Sequence, residues 1–140
     1  MYENREIVQK KIIEESLTFL KNKSRGLLDV TMRVGKTFII SDIINQMGFS
    51  NSKILICYPD NKILDSWKST FNTKNLTLTD VTYSNFSSIK KYVNVDYDLL
   101  ILDEIHELSE NEIKHSIKIS NNSKYTIGLT GTLTEKLELT

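Results

Sequence analysis

Gly26-Leu27-Leu28-Asp29-Val30-Thr31-Met32-Arg33-Val34-Gly35-Lys36-Thr37-Phe38 is the stretch on which the fold turns. Its first five residues form an apolar run broken only by Asp29, which reads as a strand. A polar loop then ends in Gly35-Lys36-Thr37. Over residues 38–47 the apolar side chains Ile40, Ile43, Ile44 and Met47 recur at the i, i+3, i+4, i+7 spacing of a helix. A Gly-Lys-Thr between a strand and a helix can hold phosphates with backbone N–H groups and a lysine cation, while Thr37 offers a hydroxyl to Mg²⁺.

Further along, the run Leu99-Leu100-Ile101-Leu102 ends in Asp103-Glu104-Ile105-His106. An aspartate at the tip of a neighbouring strand can hold the metal through its water shell, and the next glutamate can orient or deprotonate an attacking water. Each motif alone is weak, because a lysine at a helix start and an acidic loop are both common. Their order and context make nucleotide chemistry the stronger reading. The loop departs from the full pattern at Val30, where a glycine is wanted five positions before Gly35, and at Arg33, where many such loops carry glycine. A Cβ at either place limits how closely backbone can wrap an anion. Weak nucleotide affinity, or an Arg33 turned away from the phosphates, is the consequence expected.

The 140 residues suit one domain, and 39% apolar with 26% charged side chains is ordinary for a globular chain rather than a disordered one. Formal net charge is zero, so no overall basic field points to nucleic acid. Cys57 is the single cysteine and lies within Ile54-Leu55-Ile56-Cys57. This rules out a disulfide framework or thiol metal cluster and favours a buried, inert thiol. No apolar run approaches a membrane span, and the N-terminus lacks a signal-peptide layout, so an intracellular, reducing location and no membrane partner are expected. Alanine is absent and asparagine frequent, a bias of AT-rich coding that suits a virus, a phage or an AT-rich bacterium.

The remaining chain alternates helical and strand-like segments. Residues 5–20 read as a helix with Asn4 as N-cap and Ile13, Leu17 and Leu20 on one face, followed by a polar turn over 21–25. Gly48 can stop the helix over 38–47, and 53–58 reads as a strand closed by Pro59. A helix is expected over 61–71 from Leu64, Trp67 and Phe71, then a strand over 76–81 in which Leu76 and Leu78 alternate with threonine. A short helix over 86–92 leads to a strand over 99–103. Ser109-Glu110-Asn111-Glu112 has the form of a capping box, so a helix should run to Ile119. The last strand, 124–129, ends in Thr130-Gly131-Thr132. Strands and helices at this interval imply an α/β fold with a parallel sheet covered on both faces, and ligands then bind beyond the carboxyl ends of the strands.

In order and spacing these residues resemble the first RecA-like lobe of superfamily 2 helicases and translocases, the DEAD/DEAH-box and DExH class of P-loop NTPases. The resemblance spans nearly all of residues 1–140. Gln9 looks like the upstream glutamine that recognises adenine. Residues 31–37, with Met32, Arg33, Val34, Gly35, Lys36 and Thr37, look like motif I, with Phe38 following. Ile56-Cys57-Tyr58-Pro59 and Trp67 look like motif Ia, and Val81-Thr82-Tyr83 borders the next nucleic-acid contact. Asp103 to His106 look like motif II, and Leu129-Thr130-Gly131-Thr132 like motif III. Double-strand translocases, phage and viral helicases and restriction motors share the Thr-Gly-Thr form.

The resemblance implies ATP and Mg²⁺ as cofactors, with Lys36 on the β and γ phosphates, Thr37 and Asp103 on the metal, and Glu104 positioning water. It further implies that His106, Thr130, Gly131 and Thr132 couple nucleotide state to a nucleic-acid track, DNA ahead of RNA. Superfamily 2 motors hydrolyse ATP between two lobes, the second carrying arginines that stabilise the transferring phosphoryl group. Of three arginines here, Arg5 and Arg25 precede the loop and Arg33 lies within it. The expectation is therefore a fragment, a split gene product, or a lobe that needs a partner, with little hydrolysis alone. Two rivals stand: a self-sufficient oligomeric P-loop ATPase, and a non-enzymatic helicase-like binding module, to which Val30 and Arg33 would point.

Overall fold

The computed structural model describes residues 5–29 and 35–130. Five strands, β1 (Arg25–Asp29), β2 (Lys53–Tyr58), β3 (Asp80–Asn85), β4 (Tyr97–Leu102) and β5 (Ser123–Thr130), form one sheet in the order β1-β5-β4-β2-β3. Every pairing is parallel. Four α-helices connect them: α1 (Arg5–Lys23), α2 (Lys36–Gln46), α3 (Asn61–Thr73) and α4 (Glu110–Asn121). Two 3-10 turns, Phe86–Tyr92 and Ile105–Glu107, complete the elements among the described residues.

Alternation along the strands makes two cores. Ile54, Ile56 and Tyr58 of β2 face one way with Ile13 and Leu20 of α1, Ile39, Ile40, Ile43 and Ile44 of α2, and Trp67 and Phe71 of α3. Leu55 and Cys57 face the other way, packed with Phe86, Ile89 and Ile119. Both faces of the sheet are thus covered, as the unbroken apolar strands require.

Helix ends explain how short the connections are. Gly48 takes φ +72°, and the Phe49 N–H donates back to the Ile44 carbonyl at 2.9 Å, a left-handed stop that glycine adopts without Cβ strain. The end of α3 repeats the device with Asn75 at φ 53° and the Leu76 N–H donating to Phe71 at 2.9 Å. That closure corrects one sequence expectation: residues 76–79 are not a strand, and β3 begins at Asp80. Leu76 and Leu78 pack on the first core from the loop instead, so their alternation reflects burial and not sheet pairing. The expected turn over 21–25 is likewise compressed, with α1 running to Lys23 and only Ser24, at φ 59°, before β1. Asn4 and Val30 lie outside the described residues.

β5 separates β1 from β4, so the acidic tetrad does not follow the strand adjacent to β1. Register brings the relevant ends level all the same: Cys57 pairs with Leu102, Leu102 with Gly128, and Asp29 with Thr130. The Asp103 N–H continues the ladder by donating to the Cys57 carbonyl at 2.8 Å. At the carboxyl end of the sheet, therefore, the last residues of β1, β4 and β5 lie level with one another.

Candidate nucleotide site

Gly35 precedes α2 with φ 79° and ψ 66°, a left-handed conformation that turns the chain sharply into the helix. Lys36 and Thr37 are the first two residues of α2. Their N–H groups lie in the first turn, where helix geometry leaves donors unpaired and favours an anion. No acidic side chain occupies that turn.

The Lys36 ammonium lies between two carboxylates. Its Nζ is 2.7 Å from Asp103 Oδ1 and donates a short hydrogen bond to Glu104 Oε1. Asp103 is fully buried, with its other oxygen, Oδ2, accepting the Trp67 indole N–H at 2.9 Å. Burial works against the charge on Lys36, but Asp103 and then Glu104 outweigh it and hold the lysine above its ordinary pKa. Burial also pushes Asp103 above the usual aspartate value, with Lys36 and the Trp67 N–H offsetting only part of that and Glu104 adding to it.

Glu104 sits at φ 54° and ψ 49°, a left-handed conformation that is costly for a residue with a Cβ. Its second oxygen, Oε2, is 3.3 Å from His106 Nε2, while His106 Nδ1 is 3.0 Å from the Thr130 hydroxyl. Both ring nitrogens are therefore engaged, Nε2 toward Glu104 and Nδ1 toward Thr130. Thr130 is fully buried at the end of β5. A continuous polar chain therefore runs from Lys36 through Glu104 and His106 to Thr130.

The group also fits a magnesium ion arriving with phosphates. Asp103 Oδ1 is buried and, among the described residues, faces the Lys36 ammonium, which a phosphate-bound cation can replace. The Thr37 hydroxyl, nearly buried, bonds the Thr70 hydroxyl at 2.8 Å and retains a lone pair. Among the described residues no three His, Cys, Asp or Glu side chains cluster as a metal cage. One carboxylate and one hydroxyl suit Mg²⁺, which keeps several waters and takes its other ligands from substrate phosphates.

Other residues anticipated from the sequence are placed less tellingly. Gln9 is half-buried on α1, the helix that packs against α2. Phe38 is partly exposed, with the Lys74 cation 5.7 Å from its ring centroid. Thr82 and Tyr83 lie on β3, Tyr83 beneath Lys68. Met32, Arg33, Val34, Gly131 and Thr132 lie outside the described residues. Cys57 is buried, and burial pushes its thiol pKa up, in keeping with an inert thiol. Sequence reasoning placed Trp67 on a helix face and with motif Ia, and missed Thr70 altogether. Both contact the site across more than thirty residues of chain, and only their shared position on the buried face of α3 hinted at it.

No protein-family model and no curated protein matches the chain. Solved structures do. The Sulfolobus solfataricus SWI2/SNF2 ATPase core in complex with double-stranded DNA superposes with a TM-score of 0.72 at 18% identity, covering 90% of this chain and 31% of that one. The UvsW helicase of bacteriophage T4 matches at 0.73 and 20% identity, over 91% of this chain and 52% of that one. A nuclease-deletion mutant of the Type ISP restriction-modification enzyme LlaGI, in complex with a DNA substrate mimic, matches at 0.69 and 17% identity, over 94% and 17%. The chain thus spans between a sixth and about half of the structures it matches. The α/β fold is RecA-like and is shared with these structures. No helix among the described residues is long and apolar enough to cross a membrane.

Proposed function

We propose that this chain is the first ATP-binding lobe of a nucleic-acid-dependent ATPase of the superfamily 2 type, working with a second RecA-like lobe. The observation that carries this reading is the Lys36, Asp103 and Glu104 cluster at the carboxyl end of a RecA-like sheet, beside the left-handed Gly35 turn. Two carboxylates against one ammonium leave the pocket with an excess negative charge that a divalent cation complements.

In the proposed cycle Lys36 exchanges its carboxylate partners for the β and γ phosphates, and the first-turn N–H groups of α2 hold the phosphate chain. Thr37 and Asp103 would hold Mg²⁺, which when bound neutralises charge on the phosphate oxygens. Glu104, freed from Lys36, orients the attacking water and accepts its proton. His106 senses that movement through Oε2 and passes it to Thr130, and from there to Gly131 and Thr132. Gln9 is assigned to the adenine, and Met32, Arg33, Val34 and Phe38 to the rest of the nucleotide pocket.

The reading extends to the DExH subclass and to a phage, viral or restriction-motor setting, supported by the Asp103-Glu104-Ile105-His106 tetrad and by the likeness to UvsW and LlaGI. DNA is the favoured track, since one of the similar structures is in complex with double-stranded DNA and another with a DNA substrate mimic. Because the stabilising arginines are assigned to the partner lobe, the chain alone should hydrolyse ATP close to background even with DNA.

Calorimetric titration with ATP and Mg²⁺, beside Lys36→Ala, tests the proposal. Saturable binding that vanishes in the variant is expected. Absence of binding in the parent chain, or equal binding in both, would overturn it.

A further inference from the structure

We propose that Trp67 and Thr70 of α3 are positioning residues for the two groups assigned to Mg²⁺, Asp103 and Thr37, and that Trp67 consequently reports occupancy of the site by its fluorescence. This inference rests on the nucleotide reading above and adds the residues that aim the metal-binding atoms. Trp67 and Thr70 are three residues apart and therefore on one face of α3. That face is buried, Trp67 fully and Thr70 nearly so. Each side chain directs one polar atom at one of the two assigned ligands, Trp67 Nε1 at Asp103 Oδ2 and Thr70 Oγ1 at Thr37 Oγ1.

The two bonds solve two separate orientation problems. A carboxylate rotates broadly about its terminal bond, so either oxygen of Asp103 could face the Lys36 pocket. The Trp67 N–H occupies Oδ2 and so leaves Oδ1 turned toward the Lys36 ammonium, 2.7 Å away. A threonine hydroxyl has the opposite difficulty, since its proton must point away when its oxygen donates a lone pair to a cation. The Thr70 oxygen, 2.8 Å away, is within reach to accept a hydrogen bond from that hydroxyl in the metal-bound state the proposal describes. A buried indole N–H needs a partner in any case, but two donors or acceptors from a single helix meeting both assigned ligands is not a packing requirement. A phenylalanine and a valine would fill nearly the same space.

Because the indole N–H is bonded to Asp103, a change at that carboxylate acts on the indole directly. Trp67 is the single tryptophan of the chain, so its emission is unambiguous.

The experiment is a Mg²⁺ titration of the whole chain at fixed ATP, followed by tryptophan emission and in parallel by calorimetry, with an EDTA control for metal-free nucleotide. The parent chain, Thr70→Val, Thr70→Ser and Trp67→Phe are compared, with a thermal melt of each. Emission of the parent should change saturably with Mg²⁺. Thr70→Val by either readout, and Trp67→Phe by calorimetry, should raise the half-saturating Mg²⁺ by roughly tenfold or more, the usual cost of an outer-shell partner. Thr70→Ser, which keeps the hydroxyl, should restore it, and metal-free ATP binding should not move. Parent-like Mg²⁺ midpoints in Thr70→Val and Trp67→Phe, whatever their melting temperatures, would overturn the inference while leaving the nucleotide reading intact. So would Thr70→Ser behaving as Thr70→Val, or parent emission that stays flat while calorimetry records Mg²⁺ binding. A parent chain that binds no ATP with or without Mg²⁺ would overturn the nucleotide reading, and this inference with it.

Discussion

The two ends of the sheet use the same kinds of residue to opposite effect. At the amino end, Asp98 near the start of β4 accepts the Lys53 N–H at 2.8 Å and lies 3.6 Å from Lys124, whose side chain is 75% exposed. Arg25, opening β1, donates to the Ser120 hydroxyl at 3.0 Å and carbonyl at 2.7 Å. These charges stay wet and finish the ends of elements. At the carboxyl end, Asp103 and Thr130 are fully buried and Lys36 is bracketed by two carboxylates. Desolvating such a group costs several kcal/mol, and similar-sized apolar residues would commonly serve stability as well or better. Charges at the amino end are explained by the fold; those at the carboxyl end are the ones the proposed nucleotide site accounts for.

The largest effect expected from that contrast lies directly beneath the carboxyl end. Trp67→Ala removes a fully buried side chain from the first core and the donor from Asp103 together. A loss of about 3–5 kcal/mol is expected for the cavity, measured by urea unfolding. A loss below about 1 kcal/mol would mean that the core under the site is slack.

Next in size is a loss of function without loss of fold. Asp103→Asn keeps an acceptor for the Trp67 N–H but removes the buried charge. Magnesium-dependent ATP binding should fall by about a hundredfold, at the upper end of what altered metal shells cost, while the melting temperature holds or rises because a desolvated carboxylate is gone. Titration and thermal melts on one preparation check both halves. A variant that melts well below the parent would make Asp103 a structural residue and dissolve the contrast between the two ends.

An intermediate effect appears at alkaline pH. Tyr97, at the first position of β4, is nearly buried, and burial foremost pushes its phenol up to about 12. Since the folded value is raised above the ordinary value near 10, the neutral phenol stabilises the fold fully below about pH 10, and that contribution is lost as pH rises through 12. Tyr97→Phe should therefore shallow the fall in melting temperature between pH 10 and 12. Tyr58 and Tyr83, raised by burial as well, should leave part of it. An unchanged slope in the variant would remove Tyr97 from the account.

The two ends also differ in how much the sequence disclosed. Gly35-Lys36-Thr37 and Asp103-Glu104 are local patterns, and local patterns report the turn, the strand tip and the helix start directly. The capping box at Ser109 and Glu112 formed as expected, with both reciprocal bonds present. Strand order was not legible: insertion of β5 between β1 and β4 is a long-range pairing that no local periodicity encodes. Leu76 and Leu78 misled for a related reason, because alternating apolar residues register burial whether or not a ladder forms. The bonds from Trp67 to Asp103 and from Thr70 to Thr37 join residues 36 and 33 positions apart, and an indole on a helix face reads as core until its N–H is seen to have a charged partner.

The smallest effect is also the sharpest control. Asp98→Ala breaks the ion pair with Lys124 and deprives the Lys53 N–H of its acceptor, but both partners stand near water, which replaces what is lost. Exposed pairs of this kind are worth roughly 0.2–1 kcal/mol, so urea unfolding should show a change within that range and ATP titration no change at all. Raising the salt concentration should shrink the difference further, since screening acts on exposed pairs first. If Asp98→Ala instead lowers stability by well over about 1 kcal/mol and Asp103→Asn leaves ATP binding unchanged, the amino end carries the fold-critical charge network. The buried carboxylate would then have to be read as an ordinary strand terminus whose lysine partner merely neutralises it, and the case for a bound nucleotide would lose its physical premise.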